Sequence, residues 1–290
     1  MSETLLFEEN CPDSLIEELA SRRCVIFLGS GASATAKDQD GKSPLTWEDF
    51  VKGIKSTMGR SKTETIEFID NEIKKGNYLL ALQAIYDETK KADYIRFLEK
   101  EFKHGYEPSA LHKSIQRIDS KVVITTNFDK IYESLCTGAE YTTLNYDDTK
   151  SIVHELKSPR NLIIKAHGTI DKPDDIIFTS SQYYDSQEQY PEFYNLLSAL
   201  FLTNTVVFIG YSLSDPDINL VLQFLHKTAT ESSPHYLIMK TGTSKHLKDH
   251  WRKVYNVEVI EYGEEYDDLL PAMAFLADSV ESYRRGRGVV

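Results

Sequence analysis

The chain has 290 residues, 41% of them hydrophobic, and a formal net charge of −12. That is enough apolar material for one large domain, or for a core with a smaller helical subdomain, and the acidic balance argues against direct nucleic-acid binding. No run of about 18 apolar residues occurs, so no membrane span is expected; the three cysteines, Cys11, Cys24 and Cys136, are widely spaced with no Cys-x-x-Cys, which argues against a disulfide framework or a cysteine zinc site and fits a reducing cytoplasm.

The N-terminal stretch is acidic and lacks the basic start and apolar core of a secretion signal. Pro12-Asp13-Ser14 ahead of Leu15, Ile16, Leu19 and Ala20 predicts a capped helix. Cys24 to Leu28 is an unbroken apolar run, the pattern of a strand buried on both faces of a parallel sheet. Gly29-Ser30-Gly31-Ala32-Ser33-Ala34 follows and fits G-x-G-x-x-G/A. Such a turn lets a ligand lie against backbone and offers N–H groups to a pyrophosphate. The same small residues also suit a plain strand-to-helix turn. Residues 36–44 read as a loop placed to act as a lid, with Gly41 and Pro44 as breakers.

From Trp47 to Ile118 the apolar residues recur at helical spacing: Trp47, Phe50, Val51 and Ile54, then Ile66, Ile69 and Ile73, then Leu79, Leu82, Ile85 and Tyr86, then Tyr94, Phe97, Leu98 and Phe102. The expected architecture is therefore an α/β, Rossmann-like parallel sheet with a helical insertion between its first and second strands. Residues 1–46 and 119–290 form the core and 47–118 the insertion. The acidic ribose ligand that dinucleotide folds carry about 20 residues after the glycines has no good counterpart, since Glu48 and Asp49 fall inside a helix. Strands are expected at 122–125, 141–144, 161–165, 206–209, 236–239 and 257–260, with a short extended piece at 176–178. Helices are expected from Ile131, over Pro191 to Leu202, from Asp215, and over Tyr266 to Tyr283. Arg284-Arg285-Gly286-Arg287 reads as a solvated basic tail, with a local nucleic-acid patch as the alternative.

Four expected strands end in polar or glycine-rich turns: Gly29 to Ser33, Thr126-Asn127-Phe128-Asp129, His167-Gly168, and Gly210-Tyr211-Ser212. Ligands of open parallel sheets bind outside the carboxyl ends of the strands, so all four turns are expected to face one site. Each residue has a structural alternative. Asn127, Asp129 and Asp215 suit helix caps, His167 a hydrogen-bonded structural ring, Gly210 and Ser212 a chain turn, and Tyr183 and Tyr184 packing or surface positions.

In order and spacing these motifs resemble those of the sirtuin family: Gly29-Ser30-Gly31-Ala32-Ser33, Thr125-Thr126-Asn127-Phe128-Asp129, His167-Gly168 and Gly210-Tyr211-Ser212. The resemblance covers roughly residues 22 to 240. The four zinc cysteines of the family's deacylases are absent, as is the Ile-Pro-Asp-Phe-Arg segment after the first turn. What remains resembles the bacterial anti-phage branch, which has the Gly-Tyr-Ser-x-x-Asp-Pro-Asp turn found at Gly210 to Asp217. The resemblance implies NAD+ as substrate, no metal, hydrolysis of the nicotinamide–ribose bond, a homo-oligomer, and a HerA-type ATPase partner as in the short members. It implies catalytic roles for Asn127 and His167. It places NAD+ against Gly29, Ser30, Gly31, Ala32, Ser33, Thr126, Asp129, Gly210, Tyr211, Ser212 and Asp215. An NAD-dependent deacylase, a non-catalytic NAD or ADP-ribose module, and a dehydrogenase are the alternatives.

Overall fold

The computed structural model describes residues 4–59, 62–211 and 233–288. Among these, seven strands form one sheet: β1 (Cys24–Leu28), β2 (Val122–Thr125), β3 (Tyr141–Asn145), β4 (Asn161–Lys165), β5 (Thr205–Ile209), β6 (His235–Met239) and β7 (Val257–Glu261). Their order is β3-β4-β2-β1-β5-β6-β7, and every pairing is parallel. The α/β, Rossmann-like expectation is borne out. β1, β2, β4, β5 and β6 are buried at every position, the consequence of helices on both faces. β1 pairs with β2 on one side and β5 on the other, so the strand order reverses at β1, where ligands of open α/β sheets gather.

Alternate residues of each strand feed two cores. On one face Ile26, Leu28, Val123, Ile163, Val207 and Ile209 pack against helices Asp13–Ala20, Ala110–Ile118 and Leu269–Arg287. On the other, Val25, Phe27, Ile124, Ile164, Val206 and Phe208 pack against Thr149–Leu156 and Pro191–Thr203. A third core is mainly helical and contains no strand residue. Helices Trp47–Lys55, Thr63–Lys74, Tyr78–Glu88 and Lys91–Phe102 bury Phe50, Ile54, Ile69, Leu82, Ile85 and Leu98 together. Phe128, Ile170, Ile176 and Phe178, from the loops after β2 and β4, join it. Ala110–Ile118, which sequence position alone groups with these helices, lies in the sheet's own layer.

Several local features differ from the sequence reading. Pro12 begins helix Asp13–Ala20 with no side-chain cap. Ile176 to Phe178 is loop whose Ile177 N–H donates to the His167 carbonyl, and it pairs with no strand. The basic tail continues helix Leu269–Arg287. Arg284 donates from Nε to the Ala20 carbonyl at 3.0 Å, and from Nη2 to the carbonyls of Leu19 and Ile118 at 3.0 and 2.9 Å. One guanidinium thus closes the C-termini of two helices, a use of its planar fork that composition alone does not show. The expected lid loop is pinned. The Glu107 N–H donates to the Lys37 carbonyl, Asp38 folds a turn onto the Lys42 N–H, and Lys42 Nζ meets Glu101 Oε2 at 2.8 Å.

Candidate functional site

The site is assembled by backbone meeting backbone at the reversal point. The Gly29 N–H donates to the Ile209 carbonyl at 3.0 Å, and the Gly31 N–H to the Gly210 carbonyl at 2.8 Å. A Cβ on Gly31 would stand 2.7 Å from the Gly210 carbonyl oxygen. One on Gly210, whose φ is +73°, would stand 2.2 Å from Ala32 N. The glycines of the two turns are therefore needed by each other. Three of the amides expected to face a pyrophosphate, those of Gly29, Gly31 and Ala32, already donate within the protein.

The polar wall comes from the turns after β1 and β2. Ser33, 4% exposed, donates its hydroxyl proton to Asp129 Oδ2 at 2.6 Å. Asn127 Nδ2 donates to Ser33 Oγ at 2.8 Å and to the Gly29 carbonyl at 2.9 Å. Asp129 Oδ1 accepts the Ile131 N–H at 3.0 Å, an Asx-type turn one residue ahead of the Lys130 N-cap of helix Ile131–Leu135. The direction of this chain is fixed by chemistry. A carbonyl cannot donate and the Ser33 proton is taken by Asp129, so Asn127 must present its NH2 group to both. Both amide protons are then engaged, and Asn127 Oδ1 is the acceptor left to the cavity.

That cavity has an empty volume of about 410 Å³, counting its open mouth, and is lined by Ser30, Ser33, Thr126, Asn127 and Asp129 on one side. Leu45, Thr46, Trp47, Phe50, Phe102 and Phe128 form the other. Phe128 explains why the turn holds its shape. Its ring packs on Phe50 and Phe102, with centroids 6.0 and 5.5 Å away, while its neighbours Asn127 and Asp129 face the polar side. Thr46 accepts the Asp49 N–H and so starts the helix that carries Trp47 and Phe50. The Trp47 indole N–H is buried without an acceptor.

Gly29, Gly31, Gly210 and the fully buried Ala32 pack against one another where the turns after β1 and β5 meet. Tyr211, 5% exposed, bonds through its hydroxyl to Thr126 Oγ1 at 3.1 Å and ties the turns after β2 and β5 together. His167 is 5% exposed, does not line the cavity, and has Nδ1 3.3 Å from the Tyr183 hydroxyl with the two rings edge to face. Tyr184 is 72% exposed. Ser212 and Asp215 lie outside the described residues.

Three supports of the site escaped the sequence reading. Of the apolar wall, Trp47 and Phe50 were visible only as helical spacing and Phe128 only as part of the turn after β2. His112, 2% exposed, accepts through Nδ1 from the Ser109 N–H, and Ser109 Oγ meets Thr35 Oγ1 at 2.7 Å beside the glycine turn. Burial pushes the His112 pKa down to about 4, so the ring is neutral near pH 7. Lys165, fully buried at the end of β4, pairs with Glu133 Oε1 at 2.6 Å and donates to the Asp129 carbonyl. No group of three or more His, Cys, Asp and Glu forms a metal-ligand cluster among the described residues.

The parallel sheet, with an amide–hydroxyl–carboxylate chain beside the glycine turns at its reversal point, is that of a Rossmann-like α/β protein. Residues 121–260 match the SIR2-like domain family. That stretch is similar to the sirtuin family, as the order of the motifs implied. It is 25% identical over 239 residues to "Defense-associated sirtuin 2" of Bacillus subtilis, covering 81% of this chain and 22% of that protein. It is 24% identical over 232 residues to "NAD(+) hydrolase ThsA" of Acinetobacter baumannii, covering 79% of this chain and 44% of that one. To the protein of the same name from Enterococcus faecium it is 24% identical over 266 residues, covering 87% and 51%. The chain thus spans about half or less of the length of these relatives. Among its described residues no helix is long and apolar enough to cross a membrane.

Proposed function

We propose that this protein is an NAD+ hydrolase that cleaves the nicotinamide–ribose bond and depletes NAD+ in anti-phage defence. The observation that carries the reading is Asn127: an amide whose two protons are held by Ser33 and Gly29 and which lines a cavity at the sheet's reversal point. The name NAD(+) hydrolase, carried by two of these relatives, supplies the substrate class.

In this reading the pyrophosphate lies by the Gly29–Ser33 turn, and Gly210, Tyr211, Ser212 and Asp215 complete the cofactor's surroundings. The nicotinamide ribose reaches Asn127, with Thr126 and Asp129 beside it. The bond from ribose C1 to the nicotinamide nitrogen breaks with its electron pair leaving on nicotinamide, and positive charge grows on the ribose. Asn127 Oδ1 accepts a hydrogen bond from a ribose hydroxyl or the attacking water and fixes its position. Water oxygen bonds to C1 and the released proton passes, through a water, to His167, whose ring stands outside the cavity lining against Tyr183. General-base help of this kind is worth about 10²–10⁴-fold. The helices between β1 and β2 act as an insertion that supplies the apolar wall. The protein works in the cytoplasm as a homo-oligomer with a HerA-type ATPase partner, and no metal is required.

The test is NAD+ loss by purified wild type, Asn127→Ala and His167→Ala, each alone and with the ATPase. The expected result is loss of most activity in both variants with unchanged circular dichroism. Wild-type rates in His167→Ala would remove the role given to His167. Release of O-acyl-ADP-ribose from an acetylated peptide would instead identify a deacylase, and tight NAD+ binding without turnover a signalling module.

A further inference from the structure

The ion pair of Lys165 and Glu133 lies directly behind the Asn127 wall. The Lys165 side chain is 1% exposed and that of Glu133 9%. Burying two charges is expensive, and well-packed apolar residues commonly serve a core as well or better. Nor is the pair a simple neutralisation. Lys165 Nζ also donates to the Asp129 carbonyl, so the ammonium reaches across from β4 to the turn after β2. Burial pushes the Glu133 carboxyl up against the opposing pull of the lysine.

Asp129 is consequently held at three points: its carbonyl by Lys165, Oδ1 by the Ile131 N–H and Oδ2 by the Ser33 hydroxyl. Ser33 in turn accepts from Asn127. We propose that Lys165 is a positioning residue, whose ammonium, braced by Glu133, fixes the Asp129 backbone and through Asp129 and Ser33 sets the orientation of the Asn127 amide. The effect on turnover rests on the NAD+-hydrolase reading; the effect on Asn127 does not.

Lys165→Met/Glu133→Gln removes both charges while keeping the volume. Two readouts are taken on the full chain: the side-chain NH2 resonances of Asn127, and kcat and KM for NAD+. The expected result is a folded protein in which the two Asn127 amide protons lose their dispersion and exchange protection. Its kcat falls about 10²-fold, the scale of a misplaced reacting group, with KM within about threefold. Unchanged Asn127 resonances in the folded double variant overturn the proposal. If wild type itself does not turn over NAD+, the functional reading fails while the resonances still decide the role of Lys165. If the double variant does not fold, Glu133→Gln decides, because it removes the brace and leaves the ammonium. Asn127 resonances that lose dispersion in that folded variant support the proposal, and native ones overturn it.

Discussion

Asn127→Asp exchanges an amide for a carboxylate of nearly the same shape, so its effect isolates hydrogen-bond direction. In the wild type Asn127 Nδ2 donates to the Gly29 carbonyl at 2.9 Å and to Ser33 Oγ at 2.8 Å. An aspartate there faces the Gly29 carbonyl with no proton between them; that carbonyl keeps the Ala32 N–H, and the two lost amide bonds cost about 1–3 kcal/mol together. The aspartate also competes with Asp129 for the single Ser33 proton. With the two carboxylates about 4–5 Å apart, their repulsion at an effective dielectric of about 20 adds roughly 3–4 kcal/mol. The total, about 4–7 kcal/mol at pH 8, is relieved when the new carboxyl takes a proton and donates again. The sign follows from linkage. A carboxyl whose folded pKa is raised carries a penalty that grows from the unfolded pKa, about 3.9, up to the folded pKa. Urea unfolding of wild type and variant at pH 8 and pH 5 therefore shows a large gap that narrows on acidification. Equal stability at pH 8 would refute the amide orientation and the role built on Oδ1.

Two further predictions test the frame of the site. Gly210→Ala places a Cβ 2.2 Å from Ala32 N at a φ of +73°, and is expected to lower the thermal midpoint and disturb the amide resonances of Gly31 and Ala32; a native spectrum would show that the two turns do not need each other's glycines. Burial holds His112 and His235 down at a pKa of about 4 each, so the unfolded chain takes up their protons first as pH falls. Each is expected to remove up to about 3 kcal/mol of stability between roughly pH 6.5 and 4 and nothing further below. Changing His112 to Gln should flatten that part of the urea-against-pH curve, and an unchanged slope would contradict the buried neutral ring.

The sheet was legible because burial on both faces leaves unbroken apolar runs such as Cys24 to Leu28 and Val206 to Ile209. The four strand-end turns were legible because glycines, amides and hydroxyls stand out against such runs. Helices such as Thr149–Leu156 and Lys245–Tyr255 were missed, since one apolar stripe on a short polar segment gives little periodic signal. The function of the glycines was only half visible. G-x-G-x-x-A describes permissive backbone equally well whether a ligand or another turn approaches, and here Gly210 approaches. Lys165 and Arg284 were hidden for a different reason: a cation on a strand or in a tail reads as exposed until its distant partners, the Asp129, Ala20 and Ile118 carbonyls, are brought to it by the fold.

The central claim is bond cleavage at the nicotinamide ribose, and product analysis addresses it most directly. Wild type and Asn127→Ala are incubated with NAD+ in ¹⁸O-labelled water, with and without the HerA-type ATPase, and the products are separated and weighed. Hydrolysis predicts equal amounts of nicotinamide and ADP-ribose from wild type, label on the ADP-ribose, and almost none of either from the variant. Intact NAD+ under both conditions, or equal product from Asn127→Ala, would contradict it.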